Sequence, residues 1–175
     1  MDDNKIKEGI RLFLEGIGED TSREGLLDTP DRIARMSHEL FHPDEAEPAK
    51  ILSKTFEAPS NDLIMERGIL FHSFCEHHLL PFSGTADIAY LPAGRVVGLS
   101  KLARLLDFYS RRLQLQERLT AQVAEAIMEY LKPKGVYVRL EAEHSCMTLR
   151  GVKKTGTKTI TIARRGADFK IDTNS

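Results

Sequence analysis

The two cysteines of this chain both lie close to histidine. Cys75 begins the run Cys-Glu-His-His, which contains His77 and His78, and Cys146 follows His144 after a single intervening residue. A Cys-x-x-His step places a thiolate and an imidazole within one turn. A distant second cysteine then completes three zinc ligands and leaves the fourth tetrahedral position for water. This pattern is typical of a catalytic zinc site.

Two other interpretations of the same residues stay open at this point. A structural zinc site needs four protein ligands, and His77 or His144 would then have to supply the fourth. Alternatively, the cysteines are small apolar core residues and the histidines bond to the backbone. The Cys-x-x-His spacing alone does not decide between these interpretations, although the doubled histidine favours a metal.

A second group of residues has the chemistry to bind an anion. Ser100 is placed to cap a helix whose first turns carry Lys101 and Arg104 on one face. Free backbone N–H groups, the hydroxyl and the helix dipole favour phosphate there, and the two cations add charge-assisted contacts. A solvated basic face is the commoner explanation of such a pair. However, cations at a helix N-terminus oppose the dipole, and an anionic ligand removes that conflict.

A carboxylate near the start of the next helix is a further candidate. Glu117 lies between Gln116 and Arg118 in an amphipathic stretch. Its carboxylate is either merely solvated or accepts two N–H bonds from an edge with adjacent donors, such as N1 and N2 of guanine. The residue pattern alone does not choose between the two.

The overall composition limits the classes of protein to consider. The chain has 175 residues, 41% of them hydrophobic, with 25 Lys plus Arg against 26 Asp plus Glu. This predicts one compact domain without bulk attraction to nucleic acid or an anionic membrane. The sequence contains no apolar run long enough to span a membrane and begins without a signal-peptide layout, so we expect a cytoplasmic protein with unpaired cysteines.

The first part of the chain is predicted to be helical. Apolar residues recur at steps of three and four within residues 5–17, and Thr29 followed by Pro30 indicates a second helix with Thr29 as its N-cap. A linker that contains several prolines follows. We therefore assign residues 1–60 to an N-terminal helical arm and linker, and residues 61–175 to a single functional core.

Within the core, two strands precede a helix pair and two strands follow it. This β-β-α-α-β-β order predicts an α+β fold, an antiparallel sheet covered on one face by helices. The exposed edges of such a sheet make symmetric assembly a hypothesis. The predicted strands are residues 64–74, 85–91, 136–142 and 157–163, and the predicted helices are residues 100–109 and 115–131.

Taken together, these motifs resemble the GTP cyclohydrolase I family, zinc enzymes at the entry to folate and pterin synthesis. The resemblance implies the tunnelling fold, which has the element order given above, and a toroidal homodecamer of two pentamers with sites at subunit interfaces. The matching segments, in chain order, are Glu24–Leu27, Thr29–Arg32, Cys75–Phe82, Gly98–Lys101, Gln114–Thr120, His144–Met147 and Arg150–Val152.

The resemblance also implies a ligand set and a reaction. Cys75, His78 and Cys146 would bind Zn²⁺, which leaves His77 and His144 for proton transfer. The implied reaction is hydrolysis of GTP, in which a water activated by zinc attacks C8 of the purine and His144 protonates N7. Formate is released, and His77 assists opening of the ribose and its rearrangement to 7,8-dihydroneopterin triphosphate.

Residues that contact the substrate are implied in the same way. Glu117 matches the residue that binds the guanine edge, and Gln116 lies beside it. The residues implied to bind the triphosphate are Ser100, Lys101, Arg104, Arg150 and, delivered from a neighbouring subunit, Arg32.

Two alternatives to this enzyme share the fold or the ligand. One is a nitrile reductase of queuosine synthesis, which relies on a cysteine nucleophile and NADPH rather than on a Cys-x-x-His metal site. The other is a pterin- or nucleotide-binding scaffold in which zinc is only structural.

Overall fold

The structure is a computed structural model that describes residues 1–41 and 47–171. The chain forms two compact units, Met1–His42 and Pro43–Ser175. In the first unit, the structure contains the helices α1 (Asp3–Gly16), α2 (Glu24–Leu27) and α3 (Thr29–Leu40).

Both predicted helices of the first unit are present, but the N-cap of the second differs from the prediction. Asp2 caps α1, because its carboxylate accepts a hydrogen bond from the backbone N–H of Lys5 at 3.1 Å. The prediction that Thr29 is an N-cap is wrong. Asp28 occupies the cap position of α3, and the hydroxyl of Thr29 instead donates to the carbonyl of Gly25.

The second unit carries the sheet and the helix pair. The elements are α4 (Pro48–Leu52), β1 (Thr55–Glu57), β2 (Ile64–Cys75), β3 (Pro81–Leu91), β4 (Arg95–Val97), α5 (Ser100–Ser110), β5 (Leu113–Gln114), α6 (Gln116–Ala126) with a π-helical turn (Ile127–Leu131) directly after it, β6 (Gly135–His144), α7 (Ser145–Thr148) and β7 (Thr159–Gly166). Helix α4 and strand β1 form part of the segment that was predicted as linker, and β4, β5 and α7 are further short elements that the periodicity did not predict.

The main sheet has five strands in the order β5-β2-β3-β6-β7. The four long strands, β2, β3, β6 and β7, pair antiparallel, whereas the two-residue β5 pairs parallel to the end of β2. Strands β1 and β4 form a separate antiparallel pair. The predicted α+β fold class and its tunnelling-fold order are confirmed, and the sheet has one short strand more than predicted.

Helices α5 and α6 supply the apolar layer of the core. Leu102, Leu105 and Leu106 are fully buried on α5, as are Leu119 and Val123 on α6. These positions follow the helical period that the sequence shows, so one face of each helix is apolar. Alternate residues of β3 and β6 complete the same core.

The opposite face of the sheet is polar at its centre. The guanidinium of Arg139 lies 3.5 Å from the carboxylate of Asp87 and 2.5 Å from that of Glu141. The ammonium of Lys158 lies 3.0 Å from the second oxygen of Glu141. Hydrogen bonds from Lys158 and Arg139 hold the pKa of Glu141 below its ordinary value of 4.5.

We expect Glu141→Gln to lower stability at neutral pH by about 0.5–1 kcal/mol, as for a partly exposed ion pair. Because the folded pKa is depressed, the carboxylate contributes stability above pH 4.5, and that contribution is lost as pH falls through the folded pKa. The unfolding free energies of variant and wild type should therefore converge on acidification. Urea unfolding at pH 7 and below pH 4 tests this, and a constant difference would contradict it.

Among the residues that the structure describes, none of the helices combines the length and the apolar character needed to cross a bilayer.

Candidate active site

Cys75 and His78 lie in the turn that joins β2 to β3. Cys75 is the last residue of β2, and its carbonyl accepts hydrogen bonds from the N–H groups of His78 and Leu79. Its own N–H donates to the carbonyl of Leu80 at 2.9 Å. Leu79 has φ of 55°, which lies in the left-handed region. This conformation is unfavourable for residues other than glycine, and it often occurs at functional sites. The turn therefore brings the thiol and the imidazole together.

The register of β3 against β6 brings Cys146 to the same place. Phe82, near the start of β3, pairs with His144, the last residue of β6. Helix α7 begins at the next residue and carries Cys146 in its first turn. The sequence separation of 71 residues between the cysteines is thus closed by strand pairing, not by any local motif.

The three side chains form a group that could hold a metal ion. The ligand atoms of Cys75, His78 and Cys146 all lie within 4.8 Å of one another, and Cys75 Sγ is 3.9 Å from His78 Nδ1. Tetrahedral zinc with bonds of about 2.0–2.3 Å places its ligands roughly 3.3–3.8 Å apart, so this donor set fits zinc after a small contraction. The two cysteines are free thiols, as predicted.

The electrostatics of the two thiols also suit a cation. Burial raises the pKa of Cys146, and the adjacent Cys75 raises that pKa further because two thiolates repel each other. A divalent cation between the sulfurs removes this repulsion and stabilises both thiolates. The donor set and its charge therefore fit a bound metal.

His144 is held on two sides beside this group. Its ring stacks on Phe82 with the centroids 4.5 Å apart and the planes 4° apart. Its Nε2 lies 2.7 Å from Oε1 of Gln116, which is only 1% exposed. Burial lowers the pKa of His144, while the charge of Glu117 opposes this shift.

The hydrogen bonds of Gln116 define the tautomer of His144. The Gln116 amide nitrogen donates to the carbonyls of Leu140 and Thr159, at 3.2 and 3.0 Å, and lies 3.1 Å from the Thr161 hydroxyl. Its Oε1 must therefore accept, since a flipped amide would oppose oxygen to oxygen. Nε2 of neutral His144 then carries the hydrogen, and Nδ1 carries the lone pair.

Replacing Gln116 with methionine is expected to lower the free energy of unfolding by about 1–3 kcal/mol, because buried polar partners lose their hydrogen bonds. Urea unfolding measures the change. Gln122→Met is the matched control on the same helix, because it removes a single hydrogen bond, to Gln114, at a half-buried position. An equal loss in both variants would contradict the special role of Gln116.

A cavity of about 220 Å³ connects these groups. It brings together the predicted metal ligands, both predicted proton-transfer histidines and the predicted guanine-binding pair. The lining residues are Cys75, His77, His78, Gln114, Leu115, Gln116, Glu117, His144, Cys146, Met147 and Thr159. His77 and Glu117 are exposed, so their polar atoms are accessible to a ligand.

Two of the predicted cationic residues, Lys101 and Arg104, lie elsewhere on the second unit. Ser100, Lys101 and Arg104 are at the start of α5 and do not line the cavity that contains the described thiols. The prediction that Ser100 caps α5 is wrong. Leu99 occupies the N-cap position, Ser100 is the first helical residue, and no side chain caps this end.

The two remaining arginines have different surroundings. Nη1 of Arg150 lies 3.1 Å from Nε2 of His78, on the side of the ring away from the nitrogen that faces Cys75. Arg150 is thus beside the metal-binding group. Arg32 is an exposed residue of α3 in the first unit, with its guanidinium 3.5 Å from Asp28.

The residues that hold the predicted ones in place could not be identified from the sequence. Phe82 stacks on His144, and the backbone of Thr159 and the hydroxyl of Thr161 fix Gln116. The hydroxyl of Thr120 also donates to the Gln116 carbonyl at 2.7 Å. The alternating threonines of β7 were a signal for one polar strand face, but only the fold shows what that face contacts.

Comparison with known proteins identifies the family of this chain. The family model described as GTP cyclohydrolase I matches residues 6–175. The chain is 59% identical to GTP cyclohydrolase 1 of Clostridium perfringens (strain 13 / Type A), over 95% of this chain and 90% of that one. It is 53% identical to GTP cyclohydrolase 1 of Finegoldia magna, over 95% and 91%.

A solved structure also aligns with part of the fold. The apo form of the archaeosine synthase QueF-Like covers 64% of this chain and 99% of its own, with a TM-score of 0.47 and 21% identity. The family match extends over nearly the whole sequence, including the turn that carries Cys75 and His78 and the helix that carries Cys146. The chain belongs to the GTP cyclohydrolase I family.

Proposed function

We propose that this chain is a zinc-dependent GTP cyclohydrolase I. It hydrolyses GTP at C8, releases formate and yields 7,8-dihydroneopterin triphosphate, the first step of tetrahydrofolate and pterin biosynthesis. The observation that carries the proposal is one cavity lined by the three metal-binding candidates Cys75, His78 and Cys146 together with Glu117 and His144. Family membership supports the same activity.

The residues of this cavity divide the work of the reaction. Cys75, His78 and Cys146 would hold Zn²⁺, which when bound supplies an activated water at neutral pH. Glu117 accepts two hydrogen bonds from the guanine edge and so orients C8 toward that water. The carboxylate therefore selects guanine over bases that lack adjacent N–H donors.

Proton transfer is assigned to the two histidines that are not ligands. With Nε2–H bonded to Gln116, His144 takes up and delivers a proton at Nδ1, and its target is N7 of the purine. Protonation at N7 makes C8 electrophilic and allows the imidazole ring to open. Exposed His77 moves the proton at the ribose during its opening and rearrangement. Gln116 acts indirectly, because its Oε1 holds the ring of His144.

The triphosphate is assigned to cationic residues outside the cavity. Arg150 is close enough to His78 to contact the substrate from the same chain. We assign Ser100, Lys101 and Arg104 to the site of a neighbouring copy, since they do not line the described cavity of their own chain. Arg32 is likewise assigned to a phosphate in the site of a neighbouring copy.

Assembly into a homodecamer of two pentamers would complete the site. Within the described residues, β7 pairs only with β6, and Ile160 and Ile162 are more than half exposed on it. Light scattering should give a mass about ten times the 19.7 kDa of the chain. A monomer at micromolar concentration would contradict the assembly.

The test of the activity is GTP turnover by the metal-replete chain. We expect one formate released for each GTP and a product that fluoresces as a pterin after oxidation. ATP, which lacks the guanine edge, is the control and should give neither. Absence of formate from GTP would overturn the proposal. Metal analysis of protein purified without added metal identifies the resident ion, because a Cys2His site also accepts other divalent metals.

A further inference from the structure

Arg118 joins the two parts of the sequence that carry the candidate site. It is one residue beyond Glu117, and its partner Glu76 is one residue beyond Cys75. The guanidinium Nη2 donates to the carboxylate of Glu76 and, at 3.2 Å, to the carbonyl of Leu113. This link therefore connects the start of α6 to residues 75–78, which we call the metal-binding turn.

A buried glutamine fixes the direction of Arg118. Nε of Arg118 donates to Oε1 of Gln114 at 2.9 Å, and Gln114 is fully buried. The amide nitrogen of Gln114 donates to the carbonyl of Tyr109 at 2.8 Å and to Oε1 of Gln122 at 2.9 Å. Its oxygen is thereby left to accept from Arg118, so the guanidinium has only one orientation that satisfies both partners.

Backbone hydrogen bonds join the same two segments. Strand β5 pairs parallel to the end of β2, with Cys75 opposite Gln114, and the N–H of Glu76 donates to the Gln114 carbonyl at 3.1 Å. Helix α6 begins two residues later, at Gln116. A two-residue strand is a short support, and Arg118 adds a side-chain bridge across it.

Glu76 and Arg118 form an ion pair at a partly exposed position. The carboxylate follows Cys75 directly in the chain, and the guanidinium of Arg118 neutralises its charge. The two side chains are 41% and 32% exposed, and ion pairs with such exposure contribute little to stability. The ion pair therefore contributes to the geometry of the site more than to the stability of the fold.

We propose that Arg118 is a positioning residue that holds the metal-binding turn, residues 75–78, against the start of α6, where Glu117 lies. This rests on the proposed function, in which the turn holds zinc and Glu117 binds guanine. Loss of the link would loosen the turn and change its distance from Glu117, so that both metal affinity and guanine binding decline together.

Arg118→Met tests the proposal, because methionine keeps much of the aliphatic stem and removes the guanidinium. Competition with a chelator should show zinc affinity reduced by about tenfold, the range found when outer partners of metal ligands are removed. KM for GTP should rise in the same variant. The melting temperature should fall by only a few degrees, because buried Oε1 of Gln114 loses its donor while the exposed ion pair contributes little.

Arg165→Met is the matched control. Arg165 joins β7 to α6 through Glu125 at 2.8 Å, an exposed ion pair on the same helix that does not contact the metal-binding turn. Its zinc affinity and KM should equal those of wild type. An equal loss in the control would overturn the proposal, as would an Arg118→Met variant with zinc affinity within twofold of wild type.

Glu76→Gln changes the other partner of the ion pair, so the proposal can still be tested if Arg118→Met does not fold. It should also weaken zinc binding, and adding it to Arg118→Met should cause no further loss, since the ion pair that it weakens is already absent from Arg118→Met. Unchanged zinc affinity in Glu76→Gln or additive losses would overturn the proposal. If the wild-type chain releases no formate from GTP, the proposed function fails, while the zinc measurements still test Arg118.

Discussion

Replacing Cys146 with alanine is expected to reduce formate release from GTP by more than about 100-fold, since losing even an outer partner of a metal ligand costs 10–100-fold. Cys146 supplies one of three clustered donor atoms, and two remaining ligands bind zinc weakly. The variant should also lose stoichiometric zinc after dialysis. Both quantities are measured on the same preparation.

The fold of the variant should be retained, because Cys146 is only partly buried at the edge of the core, whereas Cys75 is 6% exposed within it. Circular dichroism checks this. Ser145→Ala is a matched control, since Ser145 is the preceding residue of α7 and is not part of the metal-binding group. A Cys146→Ala variant that unfolds would indicate a structural zinc instead, and one with full activity would contradict the ligand assignment.

Replacing Glu117 with glutamine is expected to raise KM for GTP by about 100-fold. A hydrogen bond to a charged group contributes about 1.5–3 kcal/mol, and 1.4 kcal/mol corresponds to a factor of ten. Glutamine keeps one acceptor but places an NH₂ group against a guanine N–H, so one bond is lost and the other is weakened. Steady-state kinetics with GTP measures the change.

Inosine triphosphate distinguishes this interpretation from a general loss of binding. It lacks the N2 amino group, so wild-type enzyme should prefer GTP, and Glu117→Gln should lose most of that preference. Glu143→Gln, which changes an exposed carboxylate on β6 outside the cavity lining, is the control and should behave as wild type. An undiminished preference for GTP in Glu117→Gln would show that this carboxylate does not bind the guanine edge.

The metal-binding residues show where the sequence reached its limit. The types and spacing of Cys75 and His78 indicate a metal site, but spacing alone leaves open whether His77 or His144 supplies a fourth ligand. The structure groups His78 with both thiols, because the hydrogen bonds of the turn orient it toward Cys75. His144, the other candidate, is instead bonded to Gln116 through Nε2.

The sequence by itself determined the order of the long strands and helices of the core and the residue types available for chemistry. These follow from local periodicity, which requires only that one face of an element be apolar. Pairing between distant residues is not local, because a register is decided by which apolar faces meet in the core. Only the tertiary structure therefore decided that Phe82 lies opposite His144, that Cys75 lies opposite Gln114, and that Arg118 reaches Glu76.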